Sequence, residues 1–257
     1  MDTSILVGTR KGTFAVTNDG SGWQAKLIGH AGVGVNFVAK DPNTGRLWAL
    51  LGHGHWGAKL SVSDDDGASW ADLPTQISYP EDARYLAPPL PGDEANSAVV
   101  LKDATVLKLW VLGFGPDGNV YVGTIPGGLF VSRDGGDSFE LDWALWNHHS
   151  RGGDLREAGE DATTERMTHW FGTPAAVDSG EFAPGIHSIA VDPRDANRVM
   201  VAISTAGVLE TRDGGKSWQG RNLGMLNDYL PDPAAEWGHD PHFVTCCPGQ
   251  PDRLWQQ

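Results

Sequence analysis

The chain has 257 residues, a formal net charge of −14 at pH 7, 34 Gly, 16 Pro, 11 Trp and two Cys. That charge excludes a nucleic-acid backbone as partner. The Gly and Trp content points to many short strands joined by tight turns rather than to helices. Cys246 and Cys247 are adjacent and form no long-range disulfide staple with each other, so nothing demands an oxidising compartment.

In chain order, MDTSILVGTRKGTF enters strand-like sequence at once. It shows no charged-then-apolar leader and no long apolar span, so the expected location is cytoplasmic, with no membrane partner. ILVGT and TFAVT flank the turn RKG, followed by TNDGSGW at 17–23. Next come strand VNFVA, turn KDPNTGR, strand LWALL, loop GHGHWG, strand AKLSVS and the octapeptide SDDDGASW at 63–70. The order then repeats: LWVLGF, GPDGN, VYVGT, IPGG, LFVS and SRDGGDSF at 132–139. It repeats again as HSIAV, DPRDANR, VMVAIS, TAG, VLETR and TRDGGKSW at 211–218. The chain closes with HFVTC, CPGQPDR and LWQQ.

Each octapeptide reads as a hairpin between third and fourth strands. Asp65, Asp134 and Asp213 can accept from backbone N–H groups and close the turn. Gly67, Gly136 and Gly215 take positive φ cheaply. Trp70, Phe139 and Trp218 open the next strand with a large apolar surface to bury. Four-stranded meanders repeated along a chain are the signature of β-propeller blades, which need roughly 40–50 residues each. The spacings here, 69 and 79 residues between successive box aspartates, leave room for insertions at 74–106 and 143–186. The second is expected to be a long loop with at most one short helix. The expected fold is all-β: one propeller domain over 1–257, of about four four-stranded antiparallel blades plus a fraction, ending two strands into a blade and so truncated at its C-terminus.

The octapeptide resembles the Asp-box, or bacterial neuraminidase repeat, found in sialidases, xyloglucan-active hydrolases, sortilin-type receptors and a photosystem assembly factor. ILVGTRKGTF, HGHWG, GTIPGGLFVSRDGG, GIHSIAVDP and AISTAGV further resemble a family of bacterial propellers labelled glycosyl hydrolase or exo-α-sialidase. The resemblance implies a propeller that binds or hydrolyses a glycan or another polar ligand. The alternative is a non-catalytic propeller that holds a ligand or a protein partner. The Arg-Ile-Pro signature of sialidases is absent; GTRKG stands in its place.

In a blade whose first strand is innermost, loops entering the first strand and loops joining the second to the third open on one face. The Asp-boxes fall on the other. The expected site face therefore carries Arg10, Lys11, His30, His53, His55, Trp56, the loop TIPGG, His187, Glu236, His239, Asp240 and His242. His-x-His and Asp-x-His spacings suit Zn²⁺, Mn²⁺ or Fe²⁺, with His53, His55, His187 and His242 as ligands and Asp240 beside them. Glycoside hydrolysis needs two carboxylates, for which Asp240 and Glu236 are the candidates. Arg10, His53, His55, Trp56, His187, His239 and His242 are the candidate ligand-binding residues. Trp56 and Trp237 are placed to stack on sugar rings, and Tyr229 with Glu236 is the one Tyr–Glu pair near that face. No dinucleotide or P-loop fingerprint occurs, and GTIPGG joins two strands rather than a strand and a helix.

Overall fold

The computed structural model describes residues 3–55, 57–87, 100–158, 170, 183–228, 230 and 232–257. Its first sheet is three-stranded: β1 (Thr3–Thr9), β2 (Gly12–Asn18) and β3 (Trp23–Gly29). The second is β4 (Gly34–Lys40), β5 (Leu47–His53), β6 (Gly57–Ser63) and β7 (Ala71–Asp72). A hairpin, β8 (Arg84–Ala87) with β9 (Val100–Asp103), follows inside the first insertion. The third sheet is β10 (Lys108–Phe114), β11 (Val120–Ile125), β12 (Leu129–Ser132) and β13 (Glu140–Leu141), and it leads into the one-turn helix α1 (Trp143–Trp146). The fourth is β14 (Ile186–Asp192), β15 (Asp195–Ile203), β16 (Gly207–Thr211) and β17 (Gln219–Gly220). The last pair is β18 (Val244–Cys247) with β19 (Gln250–Gln256). Every pairing is antiparallel and sequential within its sheet. First strands lie side by side, β4 against β10, β10 against β14 and β14 against β18. These are the blades of a β-propeller, with the first strand of each innermost. No helix among the described residues is long and apolar enough to cross a membrane.

The core is a stack of layers between blades rather than one central ball. Successive residues of a strand point to opposite faces, so β5 sends Trp48 and Leu50 toward the third blade and Ala49 and Leu51 to the opposite face, with Val35 and Trp70. In β15, Val199, Val201 and Ile203 face the third blade, while Met200 and Ala202 face β18. This double burial makes the second strands read as unbroken apolar runs. Trp48 is fully buried, and its truncation to Ala should cost about 3–5 kcal/mol.

The three octapeptides form one hydrogen-bond pattern. Ser63 donates its Oγ–H to Asp65 Oδ1 (2.8 Å) and accepts from Gly67 N–H (2.9 Å). Asp65 accepts from the N–H and Oγ–H of Ser69 (2.8 and 2.6 Å). The same four bonds recur through Ser132, Asp134, Gly136 and Ser138, and through Thr211, Asp213, Gly215 and Ser217. The glycines have φ of +89°, +103° and +89°. The segment at 17–23 departs from this pattern: Asn18 and Asp19 each bond two residues on, a local Asx turn and not a box.

The two insertions pack on each other and on the third blade. Trp146 Nε1–H donates to Arg84 O (3.1 Å), Arg84 Nη1–H to Ala158 O (2.9 Å), and Tyr79 Oη–H to Pro126 O (2.6 Å). The Ile125–Gly128 loop beneath them is wholly buried. That corrects its expected exposure on the site face. The expectation failed because the covering hairpin and α1 lie in segments that read as loops.

Hydrogen bonds from the Ser neighbour hold each box carboxylate at about 2, below the ordinary 3.8. A depressed native pKa contributes stability above the ordinary value and loses it as pH falls toward 2. A double Asp134→Asn, Asp213→Asn variant should therefore melt below wild type at pH 7. The gap in melting temperature should close as pH drops below about 4, read by thermal denaturation across pH.

Candidate functional site

Three inner strands begin with the same irregularity. Register shifts occur between Val35 and Phe37, Leu109 and Val111, and Ile186 and Ser188. Each leaves one residue out of the ladder: Asn36, Trp110 and His187. A bulge re-aims the side chain it releases. All three sit five positions before the residue that precedes the turn proline, namely Asp41, Gly115 and Asp192. The same count back from Cys247 reaches His242. These four are thus equivalent positions of successive blades, at the mouth of the channel.

Their side chains touch in sequence. Asn36 Nδ2–H donates to Leu109 O (3.0 Å). The Trp110 and His187 rings meet edge to face, with centroids 5.7 Å apart. His187 and His242 stack nearly parallel, 4.9 Å between centroids and 10° between planes. Lys108 Nζ lies 5.1 Å over Trp110, a cation–π contact.

The fourth blade's outgoing chain completes the site. It leaves β17 and crosses the top of the blade toward the channel. Glu236 and Trp237 lie against Gly220 on the outermost strand. His239 bridges Ala206 and is held by Ala235 O at 2.8 Å from Nε2. Asp240 Oδ1 accepts from Thr205 N–H (3.1 Å) and Oδ2 contacts His242 Nε2 (3.3 Å). Val244 N–H then donates to Ser188 Oγ (2.7 Å) on the inner strand. His242 stays 60% exposed and Asp240 32%, so both remain open to a ligand. His187 is half-buried. Burial, then the neighbouring His242, push its pKa below the ordinary value, and Asp240 partly opposes them.

The sequence-based set therefore divides. The structure brings His187, His242 and Asp240 together. His239 is buried, and its imidazole serves the backbone. His53 and His55 lie at the β5–β6 turn, where His55 N–H donates to His53 Nδ1 (3.1 Å). Arg10 is exposed in the β1–β2 turn. His30 bridges Thr13 Oγ1 (2.9 Å) and Ser61 Oγ (3.0 Å) with its ring against Trp70, which makes it a joint between the first two blades. Trp56 and Tyr229 lie outside the described residues. Glu236 sits at the outer strand and Asp240 over the β15–β16 turn, so the two carboxylates occupy different radii of the blade.

Among the described residues no group of three or more His, Cys, Asp or Glu side chains could hold a metal ion. In the His187–His242 stack the in-plane lone pairs of the two parallel rings run side by side rather than toward one point.

Sequence reasoning missed Trp110, Lys108 and Asn36. The signal was present as the fixed distance to the turn proline, but Trp110 stands inside an apolar run and read as core.

No protein-family model and no curated protein matches the chain. Among solved structures it is similar to the GH74 enzyme of Niastella koreensis, at 16% identity and TM-score 0.46 over 95% of this chain and 30% of that one. It is similar to YCF48 from Cyanidioschyzon merolae, at 15% identity and TM-score 0.33 over 97% and 87%. It is also similar to the K499G mutant of NanB sialidase from Streptococcus pneumoniae, at 15% and 0.34 over 77% and 25%. The chain thus spans under a third of the GH74 and sialidase chains.

The electrostatics of the stack are directly measurable. In an NMR titration His187 should ionise below its ordinary value. His242→Ala should move its pKa up by removing a like charge, and Asp240→Asn should move it down by removing the carboxylate.

Proposed function

We propose that the chain binds a neutral, glycan-like ligand at the channel mouth and does not hydrolyse it. The observation that carries this reading is the Trp110–His187–His242 row at equivalent positions of three consecutive blades, with the Asp240 carboxylate at its end. Flat aromatic and imidazole faces suit the apolar face of a sugar ring. The carboxylate and the exposed imidazole suit its hydroxyls. The lowered pKa keeps His187 uncharged at neutral pH, which favours a neutral ligand over an anion, as does a net charge of −14.

Binding is favoured over hydrolysis by the placement of the acids. A glycosidase needs its carboxyl groups roughly 5–9.5 Å apart, flanking one bond. Asp240 is engaged by Thr205 N–H and His242, and Glu236 lies at the outer strand beside Gly220. Titration calorimetry with a panel of neutral oligosaccharides checks the reading. Trp110→Ala and His187→Ala should each weaken binding by about tenfold, the 1–1.5 kcal/mol of a lost aromatic contact, with no sugar released on long incubation. Hydrolysis that depends on Asp240, or affinity indifferent to both substitutions, would contradict it.

A further inference from the structure

Each Asp-box glycine abuts the preceding blade, so the three junctions are directly comparable. A Cβ on Gly67 would meet Ile28 at 2.7 Å; one on Gly136 would meet Trp48 at 2.6 Å and Leu73 at 3.2 Å; one on Gly215 would meet the Asp142 carboxylate at 2.5 Å. Leu73 and Asp142 are equivalent. Each directly follows the fourth strand of its blade and donates its N–H back to the third, to Leu60 O (3.0 Å) and Leu129 O (2.8 Å). Trp48 and Tyr121 are equivalent too, each the second residue of a second strand and each packed toward the next blade.

The Trp–Leu plug of the second junction is therefore a Tyr–Asp pair at the third. The exchange leaves room: a cavity of about 290 Å³ lies there, lined by Asn119, Tyr121, Arg133, Asp142, Asn197 and Trp218 among others. A second cavity of about 320 Å³ shares Arg133 and Asp142. Asp142 accepts from Leu145 N–H (2.9 Å) and from Trp218 Nε1–H (3.2 Å to each oxygen). Among the described residues it forms no ion pair. Burial pushes its pKa up to about 6, against the N–H bonds that favour its charged form.

We propose that this inter-blade cavity, on the Asp-box end of the molecule and separate from the channel mouth, binds a small neutral polyhydroxyl molecule through Asp142 and Arg133. The carboxylate accepts ligand hydroxyls at the lone pairs that Leu145, Ala144 and Trp218 leave open. Among the described residues Arg133 makes one side-chain bond, to Glu140 Oε2 (3.0 Å), and offers its other N–H groups as donors. With Asp117 and Asp142 beside the single cation Arg133, the lining disfavours an anionic ligand. The volume fits a single sugar-sized molecule, at the lower end of small-ligand sites.

The test follows the indole N–H resonance of Trp218, assigned with Trp218→Phe, while glucose, galactose, mannose and fucose are titrated. A saturable shift with at least one of them is expected. A double Tyr121→Trp, Asp142→Leu variant rebuilds the plug of the neighbouring junction; it should keep its circular dichroism and melting temperature and lose the shift at least tenfold in affinity. Arg133→Ala, on an exposed side chain that leaves the fold intact, should weaken it in the same direction if the double variant fails to fold. Absence of a saturable shift in wild type, or a shift that survives in the plugged variant or in Arg133→Ala, overturns the proposal. The same titration on His187→Ala should match wild type, which separates this site from the channel mouth.

Discussion

The contact on which the molecule depends is the approach of each Asp-box glycine to the blade before it. The glycine needs positive φ and no side chain, and both needs are met only while the box carboxylate holds the turn closed. Asp65, Asp134 and Asp213 each bond a Ser two positions past the glycine, and the Ser or Thr two positions before the Asp ties the glycine N–H into the same knot. A locked hairpin then presents a bare backbone to Ile28, Trp48 or Asp142. Blade spacing follows from that approach, and the interlayer packing of Trp48, Phe130, Val201 and their neighbours follows from the spacing.

The box locks and the channel-mouth row lie at opposite ends of the strands. Turns between first and second strands and between third and fourth lie at the box end. There Asp192, Arg198 and Glu210 form a buried ion network, with Arg198 to Glu210 at 2.7 Å and to Asp192 at 3.0 Å. Connections between second and third strands, and between blades, lie at the other end. Some of these are sealed, as Ile125–Gly128 is under Tyr79, and some are left open, as at Thr205 and His242. The candidate site occupies what the insertions leave uncovered.

Much of this was legible in the sequence, for local reasons. The boxes and the alternation of strand and turn depend on a few adjacent residues, so strand order and hairpin roles could be read directly. His187 and His242 were legible because loop entry to an inner strand fixes the end of the blade on which a residue lies. What could not be read was mutual orientation. Parallel stacking of two imidazoles, against convergence on a metal, is set by strand spacing and bulges. The burial of TIPGG depends on insertions whose sequence carries little periodicity. Trp110 was hidden because strands buried on both faces show no alternation to separate core from site.

The central claim is that the row of rings at the channel mouth is the oligosaccharide site and that the box carboxylates Asp65, Asp134 and Asp213 hold the turns. Chemical-shift mapping of the uniformly ¹⁵N-labelled chain with a neutral oligosaccharide tests it most directly. The account predicts saturable shifts at the His187 and His242 imidazoles, the Trp110 indole and the Thr205 amide, whose N–H bonds Asp240, with the amide of Ser69, in the box at the first junction, unmoved. Shifts centred on the box serines, with the histidine row silent, would contradict it.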